Sequence, residues 1–234
     1  MANILITWEI GEGSGHIAPY LNLIKELEAR GHEITFTCKY VSRAFRLFEG
    51  TRVRYLQAPY VSSPASEQVT PIDSFAKILN NSGYSNVPQL AGMIRAWKNL
   101  FELVKPDLII ADYSPTAVLA SRESGIPRLQ IGTGFYQMPT QGRVPSLAEL
   151  QGIPQDDPSV FGFQNKILTH INSALELNEI TRHNHFIIDD HRNGFSNNND
   201  LYGCFWKSST YFVISDLGRC TYLFTDLAPR VNAW

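Results

Sequence analysis

Short apolar segments typical of β-strands alternate with helical segments through the first 131 residues, and this alternation constrains the fold more than any other feature. The helical segments carry apolar residues three and four positions apart, and two of them end just before Gly31 and Gly125. Five strands are predicted, at residues 3–8, 33–38, 52–57, 107–111 and 128–131. Strands that alternate with helices favour an α/β fold, in which one parallel sheet has helices on both faces.

The pattern weakens towards the C-terminus. Helices are predicted from Ile17 to the residue before Gly31 and at residues 41–48, 74–80, 88–104, 115–124 and 161–182. From His183 onward there is little regular pattern, apart from a polar turn or disordered segment at 193–200 and short strands at 211–214 and 222–224. We therefore predict an α/β domain over residues 1–182 and a poorly patterned segment over residues 183–234.

Composition narrows the class of protein. Apolar residues make up 44% of the 234 residues, which is enough for a core, and the net charge of −2 argues against a nucleic-acid partner. No apolar run reaches the length of a membrane span, and strand-like sequence begins at Asn3 without a basic leader. These features predict a cytoplasmic protein, in which Cys38, Cys204 and Cys220 are reduced thiols.

Three loops are predicted to meet at one edge of the sheet. They follow the first, fourth and fifth strands, at residues 9–15, 112–114 and 132–136. Because ligands of such sheets bind beyond the carboxyl ends of the strands, these loops are expected to line a common crevice.

The first of these loops is rich in glycine. It reads Gly-Glu-Gly-Ser-Gly from Gly11 to Gly15, and His16 follows at the predicted start of a helix. A dinucleotide site would need G-x-G-x-x-G and an acid after the second strand, where Lys39 stands instead. A P-loop would need a lysine at the position of His16. A dinucleotide-dependent oxidoreductase is therefore disfavoured, and the alternative is a tight turn that binds nothing.

His16 and Asp112 form the predicted catalytic pair. The positive end of a helix dipole disfavours an imidazolium, and a neutral imidazole can act as a general base. Asp112 ends a strand that is expected to neighbour the first, so its carboxylate can accept a hydrogen bond from His16. The alternatives are a hydrogen-bonded or capping histidine and an aspartate that is solvated or caps the following helix. Glu9 and Glu12 are predicted to be solvated loop charges.

Neither a metal nor a cofactor is predicted. Histidines and aspartates cluster near the start of the last segment, at His183, His185, Asp189, Asp190 and His191, but their spacing matches no helical metal site. Several aromatic side chains are predicted to belong to the core or to line a pocket: Tyr84, Trp97, Phe101, Phe135 and Tyr136.

Two stretches together resemble the N-terminal domain of GT-B glycosyltransferases. Residues 13–36 read GSGHIAPYLNLIKELEARGHEITF and resemble its opening, and residues 106–135 read PDLIIADYSPTAVLASRESGIPRLQIGTGF and resemble its later part. The loop 11–16 is similar to that of the UDP-GlcNAc transferases of cell-wall synthesis, in which it faces the acceptor phosphates. WEIGEGSGH and SFAKILNNSGY resemble a bacterial subgroup known only as glycosyltransferase-like proteins. The resemblance covers about residues 3–135.

The resemblance implies a Rossmann-like fold, the N-terminal half of a GT-B fold, that transfers a sugar from a nucleotide sugar to an acceptor hydroxyl with inversion. It implies that His16 is the base and Asp112 its partner. The residues implied to shape the acceptor or phosphate side of the cleft are Gly11, Gly13, Ser14, Gly15, Thr133 and Gly134.

The same resemblance places the donor on a second domain. A motif of the type H-x-G-x-x-S/T is not found, and the last ten residues, TDLAPRVNAW, resemble the approach to that domain. We therefore expect a truncated chain or one completed by a separate donor subunit, inactive without a donor-binding domain. The expected ligands are a nucleotide sugar, UDP-linked by preference, and a small-molecule or lipid acceptor. A non-catalytic binding module or an inactive fragment is the alternative.

Overall fold

Seven strands form one sheet in the computed structural model of the chain, which describes residues 1–132, 158–182, 200–207 and 210–214. The strands are β1 (Asn3–Trp8), β2 (Glu33–Cys38), β3 (Arg54–Gln57), β4 (Leu108–Asp112), β5 (Arg128–Gly132), β6 (Asp200–Lys207) and β7 (Thr210–Ile214). Their spatial order is β3-β2-β1-β4-β5-β6-β7. All neighbouring pairs are parallel except β6 and β7, which pair antiparallel. The predicted α/β, Rossmann-like fold is confirmed.

Six α-helices connect or cover the strands within the described ranges. They are α1 (Tyr20–Ala29), α2 (Val41–Leu47), α3 (Phe75–Leu79), α4 (Val87–Val104), α5 (Pro115–Ser121) and α6 (Pro158–Glu176). α4 shows how local sequence sets the ends of a helix. The Asn86 side chain accepts a hydrogen bond from the Gln89 N–H, Pro88 lies in the first turn, and Lys105 ends the helix with a left-handed backbone.

The sheet has an apolar layer on each face, because alternate residues of its strands point to opposite sides. Ile4, Ile6 and Trp8 of β1 pack with residues of α1 and α2. Leu5 of the same strand belongs to the cluster on the other face, which contains residues of α3, α4, α5 and α6. The carboxyl ends of the central strands β1 and β4 therefore lie between two layers of helices.

Several elements differ from the prediction. α6 spans Pro158–Glu176 rather than residues 161–182, and α5 ends at Ser121 rather than at residue 124. The first helix begins at Tyr20 rather than Ile17, since residues 15–19 form turns, in which the Tyr20 N–H donates to the Ile17 carbonyl. A π-helical segment, Asn80–Tyr84, follows α3, and its kink includes Gly83 at φ +92°. β6 is an additional strand in a region predicted to lack regular pattern. The division at residue 182 stays a prediction, and residues 193–199 and 222–224 lie outside the described ranges.

Candidate active site

The order of the strands places His16 and Asp112 at one point of the sheet. The chain leaves β1 towards β2 on one side, whereas β4 pairs with β1 on the other side. Asp112 is the last residue of β4, and its partner in the register is Trp8, the last residue of β1. A reversal of strand order at the carboxyl ends is where α/β sheets open a crevice for ligands. His16 lies in the loop that leaves β1 at this crevice.

The two side chains form a buried hydrogen bond. His16 Nδ1 lies 3.0 Å from Asp112 Oδ2, and the side chains are only 11% and 6% exposed. A carboxylate at this distance selects the neutral tautomer with the proton on Nδ1, whose lone pair is then on Nε2. Burial raises the pKa of Asp112, and the hydrogen bond from His16 offsets part of that rise.

Two aromatic rings stack on the imidazole of His16. The Trp8 ring centroid lies 5.4 Å away with an angle of 12° between the planes, and that of Tyr113 lies 6.1 Å away with an angle of 25°. These stacking contacts keep the plane of the imidazole ring from tilting. The sequence predicted neither contact, because both depend on how the ends of β1 and β4 lie side by side.

The glycine-rich loop brings the backbone against the histidine. A Cβ added to Gly11 would lie 2.6 Å from His16 Nε2, and Gly11 has φ +98°. Gly13 also has a positive φ, +88°, but no atom lies within 4 Å of an added Cβ there. The Ser14 carbonyl accepts hydrogen bonds from Ile17 and Ala18, which starts the turn that leads to α1. Gly11 is therefore the loop position at which a side chain would strike the imidazole.

The remaining predicted loop residues are less informative. An added Cβ on Gly15 would also meet open space. Thr133 and Gly134 lie outside the described residues, so their predicted part in the cleft stays a prediction.

Lys39 is a second charged group at this edge of the sheet. Its Nζ lies 2.6 Å from Glu12 Oε1 and 3.3 Å from the Gly11 carbonyl oxygen, and the Tyr60 ring centroid is 4.4 Å away. Burial alone would lower the pKa of Lys39, but hydrogen bonds with Glu12 and Tyr40 outweigh it, so the pKa is raised. Glu12 is exposed as predicted, and the hydrogen bond from Lys39 lowers its pKa. Lys39 thus anchors the glycine loop from the end of β2.

The prediction that Glu9 is solvated is wrong. Glu9 is 1% exposed, and its carboxyl oxygens accept hydrogen bonds from the N–H groups of Thr116 at 3.0 Å and Ala117 at 2.7 Å. Burial raises its pKa to about 8, against the lowering effect of these bonds. The first turn of α5 is therefore capped by Glu9, and Asp112 bonds to His16. An acid directly after a strand and before a glycine loop was the available signal, but the sequence does not show which helix it meets.

The other predicted site residues can be placed only in part. Tyr84, Trp97 and Phe101 belong to the core, whereas Phe135 and Tyr136 lie outside the described residues. The histidine and aspartate cluster between 183 and 191 lies outside them too. Over the part of the chain that is described, no three His, Cys, Asp or Glu side chains are grouped to hold a metal ion. Within the same ranges, no helix combines the length and the apolarity needed to cross a membrane.

Comparison with known proteins finds matches among solved structures alone. No protein-family model and no curated protein matches the chain. Its structural neighbours are glycosyltransferases, as the sequence resemblance predicts. CalG4, the calicheamicin glycosyltransferase, is 19% identical with a TM-score of 0.45, and the match covers 76% of this chain and 45% of that one. SsfS6 from Streptomyces sp. SF2575 is 15% identical with a TM-score of 0.46, and the match covers 79% and 48%.

MurG from Acinetobacter baumannii is a third such neighbour. It is 18% identical with a TM-score of 0.39, and the match covers 55% of this chain and 33% of that one. The chain thus spans less than half the length of each of these three structures.

Proposed function

We propose that this chain supplies the acceptor side of an inverting glycosyltransferase with a GT-B fold, and that His16 is its general base. The observation that carries the proposal is the buried 3.0 Å hydrogen bond between His16 Nδ1 and Asp112 at the reversal of strand order. A histidine held by a buried carboxylate in a ligand crevice is the arrangement that activates a hydroxyl nucleophile.

The proposed reaction is a single displacement at the anomeric carbon. His16 Nε2 takes the proton of the acceptor hydroxyl as the acceptor oxygen forms its bond to that carbon. The bond between the anomeric carbon and the nucleoside diphosphate breaks on the opposite face, so the configuration inverts and the diphosphate leaves with the bonding electrons. The imidazolium that forms donates to the Asp112 carboxylate, whose negative charge stabilises it.

The surroundings of His16 suit this role. The rings of Trp8 and Tyr113 hold the imidazole plane, and Gly11 leaves room at Nε2 that any side chain would fill. The loop Gly11, Gly13, Ser14 and Gly15 would then shape the acceptor side, as the sequence resemblance implies. A general base of this kind contributes roughly 10²–10⁴-fold to the rate.

The donor and acceptor are proposed by class. The donor is a nucleotide sugar, by preference a UDP-sugar, and the acceptor is a small molecule or lipid with a hydroxyl group. SsfS6, one of the structural neighbours, was solved with thymidine diphosphate. We propose that a second Rossmann-like domain, in the same polypeptide or in a separate subunit, binds the donor.

The test is sugar transfer by the protein together with its donor-binding half. Wild type and His16→Ala are assayed with UDP-sugars and a panel of aromatic and lipid alcohols, and the product is detected by mass spectrometry. We expect kcat to fall by roughly 10²–10⁴-fold in His16→Ala. The matched control is His32→Ala, because His32 lies at the opposite end of the sheet, where its Nδ1 accepts the Ala2 N–H.

Two outcomes would contradict the proposal. Turnover that is unchanged in His16→Ala would exclude His16 as the base. Binding of an acceptor without transfer in the completed protein would favour a non-catalytic binding module. Circular dichroism of both variants establishes that the fold is retained before rates are compared.

A further inference from the structure

We infer that Glu9 is a positioning residue, which fixes the turn after β4 and thereby keeps the Asp112 carboxylate on His16. The catalytic meaning of this inference rests on the proposed function. The positioning itself concerns only the geometry of this chain and can be tested without a donor or an acceptor.

The contacts of Glu9 join two elements that are distant in sequence. Glu9 follows β1 directly, whereas its two donors, the N–H groups of Thr116 and Ala117, lie in the first turn of α5. One carboxyl oxygen faces each donor, at 3.0 Å and 2.7 Å. A buried N–H that loses its acceptor is costly, so this pair of bonds holds the start of α5 at a fixed distance from the end of β1.

The next residue of the chain holds the other side of the same turn. The Ile10 N–H donates to the Tyr113 carbonyl over 3.1 Å. Glu9 and Ile10 therefore hold residues 113–117 at both ends, directly after Asp112. Because Asp112 is also paired in register with Trp8, these bonds leave its backbone little freedom.

The held turn is one that would not keep this shape by itself. Tyr113 has φ +45°, a left-handed backbone that a bulky residue rarely adopts and that persists when its surroundings determine it. α5 has seven residues, and helices this short depend on tertiary contacts. Tyr84 adds one such contact, since its hydroxyl lies 2.9 Å from Thr116 Oγ1. The Ser114 hydroxyl adds another by donating to the Asp112 carbonyl.

The geometry explains why a carboxyl group is needed at position 9. Two N–H donors require two acceptor oxygens. Each oxygen of the Glu9 carboxyl group has a lone pair to accept with, also when the group holds a proton on the side away from the donors, whereas the NH₂ group of glutamine has none. In Glu9→Gln the amide NH₂ would face one of the backbone N–H groups, and the start of α5 would have to move. Asp112 would move with the turn, and its bond to His16 Nδ1 would lengthen or break.

The experiment observes the imidazole of His16 in the full chain by NMR. The Nδ1–H proton of a histidine bonded to a carboxylate gives a low-field resonance, assigned here by its absence in His16→Ala. In Glu9→Gln we expect loss or a large upfield shift of this resonance. The matched control is Glu123→Gln, which removes a carboxylate beyond the other end of α5, where Glu123 accepts the Thr181 N–H. It should keep the wild-type signal.

A second variant covers the case that Glu9→Gln does not fold. Glu9→Asp keeps the acid but is one methylene shorter, so it reaches one of the two N–H groups, and a smaller upfield shift is expected. A wild-type His16 signal in the folded variant would overturn the inference.

Transfer by the completed enzyme separates this inference from the proposed function. A misplaced base should lower kcat by up to about 100-fold in Glu9→Gln and leave the KM of the donor unchanged. If the NMR signal changes but His16→Ala retains full turnover, the positioning role holds and the proposed function fails. If the signal is unchanged and His16→Ala is inactive, the reverse applies.

Discussion

Gly11 is the glycine of the loop at which an added Cβ would meet the His16 imidazole. Two separate features favour glycine at this position. Its φ is +98°, and a built Cβ would lie 2.6 Å from His16 Nε2. Gly13 shares only the positive φ, at +88°, since no atom lies within 4 Å of an added Cβ there. The loop therefore contains its own control for separating backbone strain from contact with His16.

We expect Gly11→Ala and Gly13→Ala to differ in their effect on the dyad. Each should lose about 1–2 kcal/mol of stability, since an L-residue is strained at positive φ. Only Gly11→Ala should also shift the low-field His16 resonance and lower the transfer rate of the completed enzyme, because its methyl group displaces Nε2. Urea unfolding and proton NMR measure the two effects. Equal shifts in both variants would show that strain alone is responsible.

At the scale of single residues, the sequence indicates the residues that stand at the ends of strands, loops and helices. His16 and Asp112 were identified because each stands at the end of a predicted strand or loop, where α/β sheets bind ligands. Trp8, Tyr113 and Lys39 gave no comparable signal, since their contacts depend on strand register and helix placement. Glu9 was assigned to solvent for the same reason. An acid in a loop is usually exposed, whereas Glu9 is buried at the end of β1, where its carboxyl group meets the first turn of α5.

At the scale of elements, Glu9 makes the contact between the end of β1 and the first turn of α5 sensitive to pH. Its pKa rises from 4.5 to about 8 on folding, because burial disfavours the charged carboxylate. Between these two pH values the folded chain holds a proton at Glu9 that the unfolded chain has released. Stability therefore falls as pH rises across this window. Below and above the window Glu9 adds no pH dependence, and the stability lost across the window stays lost above it.

Glu9→Gln should remove this pH dependence. The free energy of unfolding of the wild type should fall by up to about 1.4 kcal/mol per pH unit between about 4.5 and 8, relative to the variant. Asp112 also has a raised pKa, with an effect of the same sign. Loss of its hydrogen bond with His16 in Glu9→Gln would raise that pKa further and make the difference between the two curves smaller, never larger. Urea titrations at several pH values supply the two curves. Parallel curves would contradict the burial of a titrating Glu9.

Elements themselves were predicted well where sequence periodicity is strong and poorly where tertiary contacts decide. The strand at 33–38 and the central part of α4 are predicted by the apolar pattern of their own residues. The π-helical segment Asn80–Tyr84 does not, because it depends on packing around Gly83, where a Cβ would lie 2.8 Å from the Met93 side chain. β6 was missed because its place in the sheet depends on pairing with β5 and β7 rather than on an apolar pattern of its own.

For the whole molecule, the order of the strands decides where a ligand can bind. Residues of β1 and β4 pair from Ile4 with Leu108 to Trp8 with Asp112, so the two strands end together. The chain leaves β1 towards β2 on one side and β4 towards β5 on the other, and this reversal is where α/β sheets bind ligands. The loops at the amino ends, residues 30–32 and 105–107, lie at the opposite edge of the same sheet.

Hydrogen–deuterium exchange of the full protein tests this placement directly. We expect an acceptor from the aromatic or lipid alcohol panel to slow exchange in residues 9–15 and 112–114, because bound ligand covers their backbone amides. Exchange in residues 30–32 and 105–107 should not change, and these segments serve as the internal control. The His16→Ala variant should show the same protection, since a base that removes a proton contributes more to turnover than to ground-state binding. Protection confined to the amino-end loops would place the ligand on the wrong edge of the sheet for catalysis by His16, and the crevice between β1 and β4 would then lose its proposed role.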